Sequence, residues 1–137
     1  MKTILENTKI IRAAAAAGAA TTDVTSSVID TQGYERITFI AALGAITGGG
    51  SVSMSMFVGS ASNGVGAVEV ETTTINATDA DGDGLLVIEA FRPTGRYVHV
   101  VIERADENSV VDGIVALLSD PKTAPVDNDD LVDSISI

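Results

Sequence analysis

The chain has 137 residues, the length of one typical globular domain, so we expect a single hydrophobic core. Apolar residues make up 45% of the chain and aromatic residues only 4%, so the core must consist mainly of aliphatic side chains. The formal net charge of −11 disfavours nucleic acid as a partner, and the absence of cysteine excludes disulfides and thiolate sites.

The first segment, residues 1–22, is rich in alanine and is interpreted as an extended N-terminal arm. Charged residues interrupt its apolar run, so it does not resemble a secretion signal, and no stretch of the chain suggests a membrane span. A solvated arm should be more polar than this one. We therefore predict that Ile10, Ile11, Ala13 and Ala14 contact a partner.

Alternation of apolar and polar residues dominates the segment 23–120 and is strongest in Glu35 to Leu43, Ser51 to Gly59 and Arg96 to Arg104. Weaker strand candidates are Thr8 to Ala14, Val24 to Ile29, Ala67 to Thr72, Leu85 to Phe91 and Val110 to Leu118. Turn residues separate these segments. The pattern predicts an all-β fold, an antiparallel, jelly-roll-like sandwich of about eight strands.

An acidic loop contains Asp79, Asp81 and Asp83 at alternate positions before a glycine, as calcium-binding loops do. The bidentate glutamate that such a loop needs at its twelfth position is missing, because that position is Ala90. The loop is interpreted as a solvated turn, with weak binding of a divalent ion as the alternative.

The turn from Arg92 to Tyr97 places two arginines, a proline and a tyrosine between two predicted strands. One interpretation is a turn whose arginines bridge to acidic loops. The other makes Arg92, Arg96 and Tyr97 part of an interface.

His99 is the only histidine, and it lies within a predicted strand. A solitary strand histidine is more often a packed or interface residue than a general base. No serine pairs convincingly with it and an acid, so we expect neither an enzyme nor a cofactor. Beyond the last strand, residues 121–137 are interpreted as an acidic C-terminal tail outside the core.

Three stretches carry a resemblance to a known group: Gly33-Tyr34-Glu35-Arg36-Ile37-Thr38-Phe39, Ala42-Leu43-Gly44-Ala45-Ile46-Thr47 and Phe91-Arg92-Pro93-Thr94-Gly95-Arg96-Tyr97-Val98. In this order they resemble small structural proteins of tailed bacteriophages, of the capsid decoration or cement type. The resemblance spans about residues 8 to 120. It implies a protein that sits on the outside of the shell and braces neighbouring major capsid subunits, commonly as a homotrimer.

The expected function is therefore that of a virion structural protein on the capsid surface, synthesised in the host cytoplasm, with the major capsid protein as partner. The alternative is a carbohydrate- or calcium-binding β-sandwich module of a phage tail or surface appendage. A hydrolase is a third possibility, which the lack of a catalytic set disfavours.

Overall fold

The computed structural model describes residues 3–71 and 73–133, and their regular structure is nearly all β. The ends of the predicted arm and tail, and Thr72 at the end of one predicted strand, lie outside these ranges. The strands are β1 (Lys9–Ala14), β2 (Ala17–Ala20), β3 (Val24–Thr25), β4 (Ile29–Asp30), β5 (Tyr34–Ile46), β6 (Ser51–Gly59), β7 (Val68–Glu69), β8 (Ile75–Thr78), β9 (Leu85–Phe91), β10 (Tyr97–Ala105) and β11 (Ser109–Pro121). A short helix α1 (Ile4–Asn7) precedes them, and a 3-10 turn (Asp79–Asp81) precedes β9. In the described ranges no helix is long and apolar enough to cross a membrane.

The strands form two antiparallel sheets that pack face to face. Sheet A has the order β1-β11-β5-β9, with β2 continuing along β11 after β1. Sheet B has the order β3-β10-β6-β7, with β4 also on β10 and β8 also on β6. β1 and β2 share the partner β11, β3 and β4 share β10, and β7 and β8 share β6. If each of these couples is counted as one strand, the fold has eight strands, which pair first with last, second with seventh, third with sixth and fourth with fifth. This is the pairing of a jelly roll, so the predicted antiparallel sandwich is confirmed.

The core lies between the sheets and is filled by alternate residues of the long strands. In β6, Val52, Met54, Met56 and Val58 are buried, while the residues between them are only half-buried. In β5 the same alternation buries Phe39 completely. Because strand side chains alternate between faces, each long strand also places a second set of side chains on the outside of the sandwich.

The N-terminal segment differs from the predicted arm of residues 1–22, because from Lys9 onward it belongs to sheet A. β1 and β2 both pair with β11, and Ala13 is only 2% exposed. Arg104 of β10 binds β2 and the residues after it, since its guanidinium donates to the carbonyl oxygens of Gly18 and Thr22, each at 2.7 Å. The segment therefore contributes to the core and is not a free arm.

The predicted acidic tail also contacts the sandwich, along the outer edge of β1. The backbone N–H of Ile10 donates to Asn128 Oδ1 at 2.7 Å, and that of Arg12 donates to Asp130 Oδ2 at 3.2 Å. In an edge strand these outward-facing N–H groups have no ladder partner. Side chains of the tail thus take the place of a missing neighbour strand.

Replacing Asn128 by alanine should open this edge, because the Ile10 amide loses its acceptor. We expect amide hydrogen exchange at Ile10 to accelerate about fivefold or more, equivalent to a loss of about 1 kcal/mol. Asp127→Ala, an adjacent exposed position, is the matched control and should leave exchange at Ile10 unchanged. Equal exchange in both variants would show that the tail does not protect β1.

Candidate interaction surface

The outer side of sheet A carries an apolar surface, which we call the apolar face. The strand registers place Val87, Ile40 and Val115 side by side in one row across β9, β5 and β11. Leu85 is 65% exposed and Val87 is 47% exposed. We define the apolar face by the residues Ile10, Ile40, Ala42, Leu85, Val87, Val115 and Leu117, and Phe91 lies beyond it at the end of β9. The solvated side of an antiparallel sheet is normally polar, so this surface is a candidate for binding another protein.

Charged side chains border the apolar face near both ends of β11. At one end Arg36 donates to Glu89 and to Asp120, whose carboxylates raise the pKa of Arg36. Toward the other end lie Asp112 and, from the tail, Asp130. An apolar centre with a polar rim is the usual composition of a protein–protein interface.

A groove of about 350 Å³ opens on the apolar face between β1, β11 and β5. Ile10, Ile40 and Val115 line it, together with Leu131 from the tail. It forms where the register of β11 shifts between Val111 and Gly113, and Gly113 has a φ of +146°, which favours glycine. The groove makes the apolar face concave, so a protruding apolar side chain of a partner could enter it.

The outer side of sheet B differs in composition. β6 presents Ser51, Ser53 and Ser55 there, and β10 presents the exposed Glu103 opposite Ser53. The half-buried Phe57, His99 and Val101 lie on this same outer side, which is therefore mixed. On sheet A, Val87, Ile40 and Val115 instead lie next to each other in one row, and we take the apolar face as the candidate site.

The structure separates the four predicted contact residues of the N-terminal segment into two groups. Ile10 lies on the apolar face, and Ala14 lines the groove. Ile11 and Ala13 instead pack against the core, and Ala13 is almost fully buried. Ala13 is therefore not accessible to a partner while β1 stays in the sheet, whereas Ile11 keeps part of its surface exposed.

Arg92 and Arg96 hold acidic residues of neighbouring segments, as one interpretation of their turn predicts. Arg96 donates to both carboxylate oxygens of Asp30 at 2.8 Å, and this pairing lowers the pKa of Asp30. Arg92 donates to Glu35 at 2.9 Å. The guanidinium of Arg96 also lies over the Tyr97 ring, 5.1 Å from its centroid. The turn is thus fastened to the fold and lies away from the centre of the apolar face.

The three aspartates of the acidic loop do not form a ligand group. Asp79 Oδ2 accepts from the Gly49 N–H at 2.8 Å, and Asp81 Oδ2 accepts from the Thr78 N–H at 2.8 Å. Asp83 adopts a positive φ of 62° after the 3-10 turn. Within residues 3–71 and 73–133, no group of three or more His, Asp or Glu side chains is arranged to hold a metal ion. The carboxylates of Asp79 and Asp81 organise turns.

His99 lies on the outer side of sheet B, where its ring stacks on Phe57 with centroids 5.2 Å apart. The backbone of Gly64 and the side chain of Val28 lie close by, and the buried His99 Nδ1 has no partner among the described residues. This burial lowers the pKa of His99. His99 is a packed residue of sheet B, whereas the apolar face belongs to sheet A.

The His99 environment predicts that stability depends on pH. Because the folded state favours the neutral ring, the unfolded chain binds the proton more readily. The contribution of the neutral ring to the free energy of unfolding is therefore fully present above the ordinary histidine pKa, about 6.5. It is lost as pH falls through the lower pKa that His99 has in the folded state. We expect the melting temperature to fall between pH 7.5 and pH 5.5, and the fall to be smaller in His99→Gln. An equal fall in both proteins would contradict this assignment.

The sequence signal for the apolar face is visible in hindsight: in β5 and β11 the residues between core positions are themselves largely apolar, for example Ile40 and Val115. Which of them lie side by side depends on the register between strands distant in the chain, and the alternation of side chains does not reveal that register.

No model of a known protein family matches the chain, and no curated protein matches its sequence.

Proposed function

We propose that the chain is a non-catalytic virion structural protein that binds the major capsid protein of a tailed bacteriophage through the apolar face and braces the assembled shell. The observation that carries this proposal is the apolar face itself, where exposed aliphatic side chains lie next to each other, whereas the outer side of sheet B is mixed. The partner is inferred from the resemblance of residues 8 to 120 to capsid decoration proteins. In this role the protein is synthesised in the host cytoplasm and acts on the capsid surface.

Burial of the apolar face supplies the driving force for such binding. Leu85, Val87 and Val115 are 65%, 47% and 37% exposed in the free chain. Full burial of a side chain of this size stabilises a complex by about 1.5–3 kcal/mol relative to full exposure, before the cost of association. The net charge of −11 opposes self-association of free copies in solution.

The fold alone does not select this function, because jelly rolls occur in viral capsid proteins and in lectins alike. A lectin stacks sugars on aromatic rings, and this chain has no tryptophan and only 4% aromatic residues. The two aspartates best placed for calcium are already bound to backbone N–H groups. The apolar face therefore favours a protein partner over a sugar or an ion.

Co-sedimentation with shells assembled from the major capsid protein tests the proposal. Val115→Lys places a second cation beside Arg12 on the apolar face, and we expect it to weaken binding about tenfold or more, since the charge must be desolvated. The matched control is Val101→Lys, a half-buried valine of the outer side of sheet B, which should bind like the unmodified protein. If the two variants bind equally well, the apolar face is not the contact. If the unmodified protein does not sediment with shells, the proposed partner is wrong.

A further inference from the structure

The two edges of sheet A differ in how their backbone groups are satisfied. At the β1 edge, the outward N–H groups of Ile10 and Arg12 donate to Asn128 and Asp130 of the tail. At the opposite edge, β9 is the last strand of its sheet, and no strand within the described ranges pairs with its outer side. One edge is protected against pairing with another chain, and the other is open.

The bonds between β9 and β5 identify which backbone groups are open. Arg92 N–H donates to the Glu35 carbonyl, and Leu43 N–H donates to the Gly84 carbonyl. In an antiparallel ladder the inward-bonded residues alternate with outward-facing ones. The residues of β9 that direct N–H and C=O groups outward are therefore Leu85, Val87, Glu89 and Phe91.

The same four residues place their side chains on the outer side of sheet A, since Leu86 and Ile88 between them face the core. Phe91 is 51% exposed, and the guanidinium groups of Arg36 and Arg92 each lie 5.0 Å from its ring centroid. An added strand would thus satisfy the open backbone groups and cover apolar side chains at once.

We propose that β9 pairs antiparallel with β9 of a second copy about a two-fold axis, joining the two five-stranded sheets into one. A two-fold axis requires that if Leu85 faces Phe91 of the partner, Phe91 faces its Leu85. In that register Val87 faces Glu89 of the other copy, and each of these pairs exchanges both N–H···O bonds. The register uses all 7 residues of β9.

The neighbouring registers are less favourable. Shifting the pairing by two residues in one direction places Glu89 opposite Glu89, and like charges directly opposite each other are destabilising. Shifting it in the other direction leaves Phe91 without a facing β9 residue. In the proposed register Phe91 instead packs beside Leu85 of the partner, so the most exposed apolar side chains of β9 cover each other.

Local charge also permits pairing at this edge despite the net charge of −11. Glu89 is bound to Arg36, and Glu35 is bound to Arg92. Glu89 and Glu35 are therefore each paired with an arginine of the same copy, and the acidic tail lies at the opposite edge of the sheet. The proposed pairing also continues the apolar face from one copy into the next.

Analytical ultracentrifugation of the full chain over a range of concentrations tests this pairing. We expect a monomer–dimer equilibrium that shifts to monomer in Val87→Pro, because proline removes an outward N–H without breaking a bond to β5. Val115→Lys, on the same face but in a central strand, should keep the dimer. These two variants separate this proposal from the proposed function, which requires only that Val115→Lys lose shell binding.

A cysteine cross-link tests the register and does not depend on how well the proline variant folds. The chain contains no cysteine, so an introduced thiol is unique. On mild oxidation, a mixture of Val87→Cys and Glu89→Cys chains should form mixed dimers faster than either variant alone forms its own. A mixture of Val87→Cys with Glu103→Cys, on sheet B, should not. A chain that stays monomeric at all concentrations, a trimer, or a dimer with equal cross-linking in both mixtures overturns the proposal.

Discussion

Replacing Arg104 by methionine is expected to lower the free energy of unfolding by about 3 kcal/mol or more. Arg104 is only 5% exposed and donates to the carbonyl oxygens of Gly18, Thr22 and Ser109, each at 2.7 Å. Methionine keeps much of the side-chain volume but donates no hydrogen bond. The bond to Ser109 is buried, and leaving that carbonyl without a partner costs about 1–3 kcal/mol, while the part-buried bonds to Gly18 and Thr22 add the loss of two charge-assisted hydrogen bonds.

Urea denaturation measures this loss. The dependence of the free energy of unfolding on urea concentration should have the same slope in both proteins if unfolding stays two-state. Arg104→Lys should lie between the two proteins, because an ammonium keeps the charge but cannot reach all of the acceptors. Arg12→Met, at an exposed position, is the matched control and should change stability little. A loss below about 1 kcal/mol for Arg104→Met would mean that Arg104 does not hold β2 and β11 together.

Replacing Phe39 by alanine is expected to cost about 3–5 kcal/mol, because the change leaves a cavity at the centre of sheet A. Phe39 is fully buried on β5, between Ala116 of β11 and Ile88 of β9. With aromatic residues at only 4% of the chain, this core has few large side chains to fill the space. Thermal denaturation should show a large drop in melting temperature.

Phe91→Ala is the matched control for Phe39→Ala, since Phe91 is 51% exposed and lies outside the core. Its cost should be much smaller at low protein concentration, where copies do not pair. Comparable losses in the two variants would contradict the assignment of Phe39 to the centre of the core.

The long strands could be predicted from the sequence because their side chains alternate in polarity. Ser51 to Gly59 and Leu85 to Phe91 are observed with the predicted limits, and the strands predicted at 35–43, 96–104 and 110–118 are found slightly extended or shifted. The region predicted as one strand from Val24 to Ile29 is interrupted at Ser26 and Ser27, since Val100 N–H donates to the Ser26 hydroxyl and Ser27 N–H donates to the Ala13 carbonyl of sheet A. Alternation therefore finds strands but not their interruptions.

The positions of the two termini could not be predicted, because they depend on hydrogen bonds between residues far apart in the chain. Arg104 is 86 residues from Gly18, and Asn128 is 118 residues from Ile10. Local composition suggested an alanine-rich arm and an acidic tail, and neither pattern contains information about a distant guanidinium or amide. For the same reason Ile11 and Ala13 seemed available to a partner, although β1 turns them toward the core.

The apolar face was foreseeable in kind but not in detail. The apolar second faces of the strands indicated a surface for assembly, and Ile10 was among the predicted contacts. Leu85, Val87 and Val115 were not, because their neighbourhood arises only when β9, β5 and β11 are aligned in the jelly roll. The order of the strands in sheet A therefore determines which side chains make up the apolar face.

Electron cryomicroscopy of capsids incubated with this protein tests whether the apolar face is the contact with the shell. We expect density for the jelly roll on the outside of the shell, with the apolar face turned toward the major capsid protein and Val115 covered by it. The serine-rich outer side of sheet B should remain in solvent. Density in which the apolar face points into solvent and sheet B contacts the shell would contradict the proposed function.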